Sequence, residues 1–527
     1  MTAPATAAPA ATKMVSLTIE GRQVSVAEGT SILEAAKAAG VLIPHYCYHP
    51  GLPVAGVCRM CLVEVEKAPK LAPSCATSVA EGQVVHVHSE KALEARKGVL
   101  ELLLINHPLD CPICDQAGEC ELQDYTYVEG RPDSRLRDPK RFNPVEDFGG
   151  DVLYVTNRCI LCTRCVRFMD TVAEDPVLNV SERGDRAVIG KFEGHDLTHP
   201  WAGNVIDLCP VGALLSKDSL NKVRAWELDR TASVCPSCTQ GCSMIIETRD
   251  NVVARLRPRP NEAVNRFFMC DYGRLNYRWI NRSDRVEQPM VRRGDGLVAA
   301  DWETALRAAA DAIRGAKARV VASPMLSNEA LGLLARLVRL TGGSGTFHVN
   351  RGDVAPLPGV PDLARREDLA ANVRGAELLG FTRSDRPLWN LGAGDVLVVA
   401  DEELAGMDHS AMGTPRDIVV IGTTLPAWAA RASVVLPIAN FAEEEGTFTN
   451  VRGRVQRFMQ ARQAPGYARP SFAVLGDLLA QLGEQTGFFL ASDAFDALAK
   501  SESAFAGLSY DALGLKGRMI AGAEGRA

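Results

Sequence analysis

The sequence predicts an α+β series of small modules built on cysteine loops, followed by an α/β region with a parallel sheet. Three observations predict this. All 15 cysteines fall between Cys47 and Cys270. The chain opens on a strand-turn-strand pattern that runs into a short capped helix. Beyond residue 290 the texture changes to helical runs alternating with apolar, strand-like runs. At 527 residues the chain exceeds what one core organises, and length alone suggests roughly three or four domains.

Residues 1–13, "MTAPATAAPAATK", lack a basic start and an apolar stretch, and read as a disordered leader rather than a signal peptide. Two alternating runs, "MVSLTIE" and "QVSVA", meet at Glu20-Gly21 and form a hairpin signal. Ser31-x-x-Glu34 is a capping box, and Gly40 ends the helix it starts. Two strands, a helix and a cysteine loop suggest a small ferredoxin-like sheet domain. A second helix, about Glu90 to Ile105, stops at "NHP", because Pro108 disfavours helical geometry in His107. Residues 130–150, rich in Pro, Arg and Asp, read as a connector. Farther on, "DWETALRAAADAIRGA" and "NEALGLLARLVRLTGG" read as helices, and "ARVVASP", "DVLVVAD" and "RDIVVIG" as parallel strands.

Composition is that of a folded protein: 46% apolar, 23% charged, and a net charge of only -6, which points to no polyanion partner and excludes nucleic acid. The longest apolar stretch, "GVLELLLIN", falls far short of the ~18 residues of a membrane-spanning helix, so any membrane contact comes through a partner. An odd cysteine count in short C-x2-C units argues for reduced thiolate ligands rather than disulfides.

The cysteines sort into four sets. The first is Cys47-x10-Cys58-x2-Cys61-x13-Cys75, four thiolates around a C-x2-C, suited to a 2Fe-2S centre. Cys47-x-His49 mimics half of a Rieske motif, but Cys61 stands where its second histidine would be needed; His45 and His49 read as loop residues. The second is His107-x3-Cys111-x2-Cys114-x5-Cys120, an imidazole in place of a fourth thiolate. The third, Cys159-x2-Cys162-x2-Cys165, is a 4Fe-4S pattern closed by Cys209-Pro210 in "CPVGAL". The fourth is Cys235-x2-Cys238-x3-Cys242-x27-Cys270. Four, three, four and four use every cysteine, and the odd total follows if His107 completes the second set.

Zinc also takes C-x2-C pairs, but three cysteines within seven residues suit a cubane better than one tetrahedral ion; zinc stays an alternative for the fourth set. Arg158, Arg164 and Arg167 interleave with the third set, either favouring a reduced cluster or simply solvated. Neutral imidazole removes one negative charge from the second centre, which should raise its potential. In the alternative, His107 only ends a helix and a water or outside group completes the site.

With these sets in this order, the region from about Val15 to Tyr277 resembles the large iron-sulfur subunit of respiratory NADH:quinone oxidoreductase, complex I, and the H-x3-C-x2-C-x5-C set is the most specific element. The fourth set resembles the extra cubane of bacterial members and of molybdopterin oxidoreductases, and the remainder a shortened molybdopterin-oxidoreductase-like domain. The resemblance implies a β-grasp 2Fe-2S domain over 14–90 and a His/Cys3-ligated 4Fe-4S domain over 91–135. It implies a ferredoxin-type 4Fe-4S domain over 150–225, a molybdenum/tungsten-oxidoreductase-type 4Fe-4S domain over 229–285, and an α/β domain over 286–527 without pterin.

It further implies one 2Fe-2S and three 4Fe-4S clusters and no catalytic residue in this chain. Electrons would come from an FMN/NADH-binding subunit, enter at Cys47, Cys58, Cys61 and Cys75, move to the Cys159 cubane and leave through the His107 cluster; the fourth cluster would be structural. Expected partners are that flavin subunit, a thioredoxin-like 2Fe-2S subunit and the quinone-proximal iron-sulfur subunits. The expected place is the peripheral arm, on the cytoplasmic face of a bacterial inner membrane.

A rival is the subunit of an NAD-linked, formate dehydrogenase-like molybdenum enzyme. No cysteine follows Cys270 to bind the metal, although serine or aspartate ligation stays open. An iron-only hydrogenase would need a further cysteine group. "TGGSG" at 341–345 lacks a following Lys-Ser/Thr and "GAG" at 392–394 precedes a strand, so both read as turns. "EEEGTFTNVRGRVQ", 443–456, resembles a segment of the family's terminal domain, with no chemistry assigned.

Overall fold

The computed structural model describes residues 13–385, 391–402 and 412–523; the leader expected over 1–13 lies, but for Lys13, outside the described residues. The chain forms two compact units, 1–226 and 227–527.

The first unit opens with β1 (Met14–Ile19) and β2 (Arg22–Ala27), antiparallel as the alternation predicts. Glu20 (φ 48°) and Gly21 (φ 74°) make the turn, a left-handed pair that matches strand twist. The Glu20 carboxylate accepts the amides of Val87 and His88, which ties the turn to a distant strand. Helix α1 (Ile32–Ala38) starts where Ser31 accepts the Glu34 amide at 3.2 Å. The Glu34 carboxylate takes the Tyr48 hydroxyl at 2.9 Å, so this half of the expected box serves the cysteine loop. Strands β3 (Leu62–Val65), β4 (Ala72–Pro73) and β5 (Val84–His86) complete a sheet ordered β2-β1-β5-β3-β4. Its core of Val15, Leu17, Ile19, Ile32 and Val85 takes in Cys61 and Cys75.

Helix α2 (Glu90–Leu104) ends one residue before the expected Ile105, and α3 (Glu121–Glu129) begins at Cys120. The expected connector over 130–150 is shorter than predicted. Its last residues form β6 (Val145–Gly149), because Gly149 (φ 95°) and Gly150 (φ 52°) fold it onto β7 (Val152–Val155). Then follow α4 (Arg164–Arg167), the β8 (Leu178–Ser181) and β9 (Val188–Lys191) pair, α5 (Asn204–Leu208), and β10 (Leu214–Ser216) alongside β7.

The second unit starts with an antiparallel sheet of β11 (Asp229–Val234), β12 (Ser243–Arg249) and β13 (Val252–Pro258), then α6 (Asp271–Leu275). A hairpin of β14 (Met290–Arg293) and β15 (Gly296–Ala299) leads into α7 (Trp302–Ile313), β16 (Lys317–Ala322), α8 (Asn328–Thr341) and β17 (Ser344–Phe347). A short pair, β18 (Ala355–Pro356) and β19 (Ala364–Arg365), precedes α9 (Val373–Leu378), β20 (Thr382–Arg383), β21 (Asp395–Ala400), β22 (Asp417–Gly422) and β23 (Val434–Pro437). The sheet order β15-β14-β23-β22-β21-β16-β17-β20 has its strands from β23 to β20 parallel, as the apolar runs of β16, β21 and β22 predict. Gly342 (φ 60°) ends α8, and a side chain on Gly343 would meet the Ala318 carbonyl, so the two central glycines of "TGGSG" make the turn, between Thr341 in α8 and Ser344 in β17. Strands β24 (Gly446–Thr449) and β25 (Arg454–Phe458) and helices α10 (Ser471–Gln481) and α11 (Ala491–Ser501) close the unit. Among the described residues, no helix is long and apolar enough to cross a membrane.

Candidate metal centres

Three cysteine sets lie in the first unit and the fourth in the second. In the first set, the Cys47 amide donates to Cys58 Sγ at 3.4 Å. The Cys47 sulfur lies within reach of Cys58 and Cys75, and Cys61 within reach of Cys75. Hydrogen bonding from Cys58 and Cys75 holds Cys47 well below the ordinary thiol range, and Cys75 brings Cys61 down to about 6. Cys58 and Cys75, each facing Cys47, are pushed up. Sulfurs this crowded cannot all ionise unaided, and a cationic centre among them lifts that restriction. Arg59 (φ 58°) makes the reversal inside the C-x2-C. His45 Nδ1 bonds the Ile43 carbonyl at 2.8 Å and His49 Nδ1 accepts the Gly51 amide at 3.1 Å, so both rings brace the loop.

In the second set, Cys111 is exposed and Cys114 and Cys120 are buried. Cys120 is the N-cap of α3, and the nearby amides of Gln123 and Leu122 favour its thiolate, as a helix start does. Burial dominates nonetheless and raises Cys120 to about 11 and Cys114 above its usual value. These three sulfurs feel one another's charge. His107 feels Lys140, Arg158 and Asp110, sharing Arg158 with Cys114. Burial first, then those two cations, push His107 down to about 4, so the ring is neutral at pH 7, the state in which imidazole binds a metal. Its Nδ1 is buried with no hydrogen-bond partner, which is where a ligand bond would leave it satisfied. A Cβ on Gly212 would fall 2.2 Å from Cys114 Sγ, so the glycine of "CPVGAL" makes room for this sulfur.

In the third set, Leu161 (φ 53°) and Thr163 (φ 59°) flank Cys162 in left-handed backbone, unusual for branched residues and suited to turning amides toward the sulfurs. Cys159 Sγ accepts the Leu161 amide at 3.4 Å. Cys209 closes the set from the end of α5. Cys159, Cys162, Cys165 and Cys209 feel one another, and burial raises Cys159 and Cys209 to about 11, Cys162 to about 12 and Cys165 well above the usual value. The Tyr154 hydroxyl is buried without an acceptor, and the sulfur of Cys159 lies against it.

The solvated alternative for the three arginines is corrected: Arg158 and Arg164 are buried and Arg167 half-buried. Arg158 pairs with Asp110, next to Cys111, at 2.9 Å. Arg164 donates to the carbonyls of Tyr48 at 2.7 Å and Leu208 at 3.2 Å. Arg167 donates to the carbonyls of Cys47, Pro53 and, at 3.2 Å, Cys162. Each side chain spans from its own loop to another set, which interleaving alone did not signal. Arg224, also missed in the sequence, pins the second loop through the carbonyls of Cys114, at 2.7 Å, and Pro112.

In the fourth set, the Cys235 amide bonds the Cys242 carbonyl at 2.8 Å, and Cys270 caps α6 by accepting the Gly273 amide. All four cysteines are buried, which raises Cys235 to about 12 and pushes up Cys238, Cys242 and Cys270. A Cβ on Gly273 would lie 3.0 Å from Cys235 Sγ. The α/β region wraps this loop: Gln456 donates to the Gly241 carbonyl at 3.0 Å and Val451 to Thr239 at 2.8 Å. Among the described residues, no three histidine, cysteine, aspartate or glutamate side chains are placed to hold a single metal ion.

The segment 443–456 takes a structural role. Glu443 pairs with buried Arg285 at 2.7 Å, Glu444 accepts the amide and hydroxyl of Ser471 at the start of α10, and Glu329 accepts the amide and hydroxyl of Thr447. A Cβ on Gly446 would crowd Phe458 and Ser327, so only glycine fits between them.

Buried thiols in four loops, amides aimed at sulfur and a neutral imidazole define an iron-sulfur protein joined to a molybdopterin-oxidoreductase-type α/β region. Comparison agrees loop by loop. The 2Fe-2S iron-sulfur cluster binding domain matches 12–90, and the NADH-ubiquinone oxidoreductase-G iron-sulfur binding region 96–135. The ferredoxin-like domain of NADH-quinone oxidoreductase subunit 3 matches 149–215, the molybdopterin oxidoreductase Fe4S4 domain 228–282, and molybdopterin oxidoreductase 285–372 and 387–481.

The particular resemblance is to the large iron-sulfur subunit of NADH-quinone oxidoreductase. The G subunit of NADH-quinone oxidoreductase from Rickettsia bellii is 40% identical over 343 residues, 64% of this chain and 50% of that protein. The mitochondrial NADH-ubiquinone oxidoreductase 78 kDa subunit of Candida albicans is 42% identical over 335 residues, 62% of this chain and 46% of that protein. The chain thus spans about half the length of the curated relatives it matches. A crystal structure of an NAD+-reducing [NiFe]-hydrogenase, in the H2-reduced state, matches at 29% identity over 40% of this chain and 90% of that chain, with a TM-score of 0.35.

Proposed function

We propose that the chain is the iron-sulfur electron-transfer subunit of an NADH:quinone oxidoreductase. In this reading Cys47, Cys58, Cys61 and Cys75 hold a 2Fe-2S cluster. His107, Cys111, Cys114 and Cys120, then Cys159, Cys162, Cys165 and Cys209, then Cys235, Cys238, Cys242 and Cys270 hold three 4Fe-4S clusters. Bound there, the clusters supply one-electron transfer between a flavin subunit that oxidises NADH and the iron-sulfur subunits nearer quinone. The chain's own groups set the terms: buried sulfurs receive backbone amides, His107 stays neutral, and arginines offset the anionic charge. The fourth set, enclosed by the second unit, reads as structural. The working place is the peripheral arm, on the cytoplasmic face of a bacterial inner membrane.

The observation that carries this reading is the His107 site, where a half-buried neutral imidazole with a buried, unpartnered Nδ1 stands within the stretch matched by the NADH-ubiquinone oxidoreductase-G iron-sulfur binding region. Anaerobic isolation with elemental analysis and partner identification tests it. Iron with sulfide and a co-purifying flavoprotein is the expected result; chiefly zinc would overturn it.

The molybdenum reading has the molybdopterin oxidoreductase match in its favour. The crevice at the carboxyl ends of β16, β21 and β22, lined by His348, Asp401 and Thr423 among others, encloses about 270 Å³. That is below the ~300–1,000 Å³ of a pocket for one drug-sized ligand. Molybdenum in the isolated protein would restore this reading.

A further inference from the structure

Three backbone segments converge on α4. The Arg167 guanidinium donates to the carbonyl of Cys47 in the first set, to that of Cys162 in the third at 3.2 Å, and to Pro53 at the far side of the first loop. Its Nε is held by Thr163, at 3.2 Å to the carbonyl and 3.3 Å to the hydroxyl. One turn earlier, Arg164 reaches the Tyr48 carbonyl and, beside Cys209, the Leu208 carbonyl. A planar fork with fixed donor directions can hold several carbonyls in one geometry, which a lysine ammonium cannot. Burial works against the charge of Arg167, and the sulfurs of Cys162, Cys47 and Cys165 favour it. One cation therefore acts on two sulfur sets from a half-buried site, where charge is screened less than in open water.

We propose that Arg167, seconded by Arg164, is a positioning residue that fixes the separation of the first and third centres and raises the potentials of both with one shared charge. The inference rests on the proposed assignment of those two sets as cluster ligands. The two effects separate by substitution. Arg167→Gln removes charge and fork together, whereas Arg167→Lys keeps the charge and loses the fork.

The test uses the full chain isolated anaerobically with its partners, by redox titration of the paramagnetic signals of both centres and by amide exchange over residues 47–53. Iron content per chain is measured in each variant. Expected is a downward shift of both potentials in Arg167→Gln but not in Arg167→Lys, with faster exchange over 47–53 in both. A shift confined to the third centre, or unchanged potentials and exchange, overturns the inference while leaving the electron-transfer reading intact. Absence of both signals in the unsubstituted protein overturns that reading and the inference with it. Iron lost selectively from the first and third centres in both variants supports the positioning role, since those loops then fail to hold their clusters.

Discussion

At the scale of single residues, His107 and Tyr154 each raise the potential of the centre beside them, and the same titration can read both. Imidazole replaces an anionic ligand, so His107→Cys should lower the potential of the second centre; no downward shift would count against ligation. The Tyr154 hydroxyl is buried with no acceptor other than the sulfur beside it. A hydrogen bond to sulfur favours the reduced state, so Tyr154→Phe should lower the potential of the third centre while iron content holds. Of these two residues only His107 was legible in the sequence, because ligand spacing is a local pattern. Tyr154 reaches Cys159 from the end of β7, five residues earlier, and no ligand-spacing rule contains that.

At the scale of elements, the Cys209-Pro210-Val211-Gly212 turn serves two centres. It closes the third set, its Pro210 carbonyl accepts the Glu121 amide at the start of α3, and Gly212 yields space to Cys114. A methyl group there would stand 2.2 Å from that sulfur, and both are anchored in backbone that cannot easily retreat. Gly212→Ala should therefore displace Cys114 and lower iron occupancy of the second centre, with the fourth unaffected, as cluster-specific spectra would record. The hairpin at Glu20-Gly21, the Ser31 cap and the parallel strands were readable because each rests on a short-range rule. Strand β6 was hidden inside a polar stretch, since only the paired glycines at 149 and 150 mark it. Arg164 and Arg167 were visible as residues but not as connectors, because their acceptors in the first loop are carbonyls more than a hundred positions away.

At the scale of the whole molecule, the division after residue 226 separates three cysteine sets from the fourth. The second unit holds buried carboxyls, among them Glu329 and Glu444. Burial raises Glu329 to about 7 and Glu444 to about 8, from an ordinary value of 4.5. Folded-state values above the unfolded ones mean that the native chain keeps protons which the unfolded chain has released. Stability from these groups is therefore full below about pH 4.5, falls as pH rises through 7 and 8, and levels off above, a loss on the order of a few kcal/mol. Denaturant titrations across that range should show the slope for the second unit, and Glu444→Gln should flatten it at the expense of a hydrogen bond to Ser471. The motif "EEEGTFTN" named this segment without revealing its role, because a buried acid looks the same in sequence as a solvated one.

Cys111 is the exposed member of its set, whereas its neighbours are covered. Air or an alkylating reagent therefore meets that sulfur first. A preparation that has aged should carry its earliest chemical scar there, legible by peptide mass mapping before the remaining thiols have been touched.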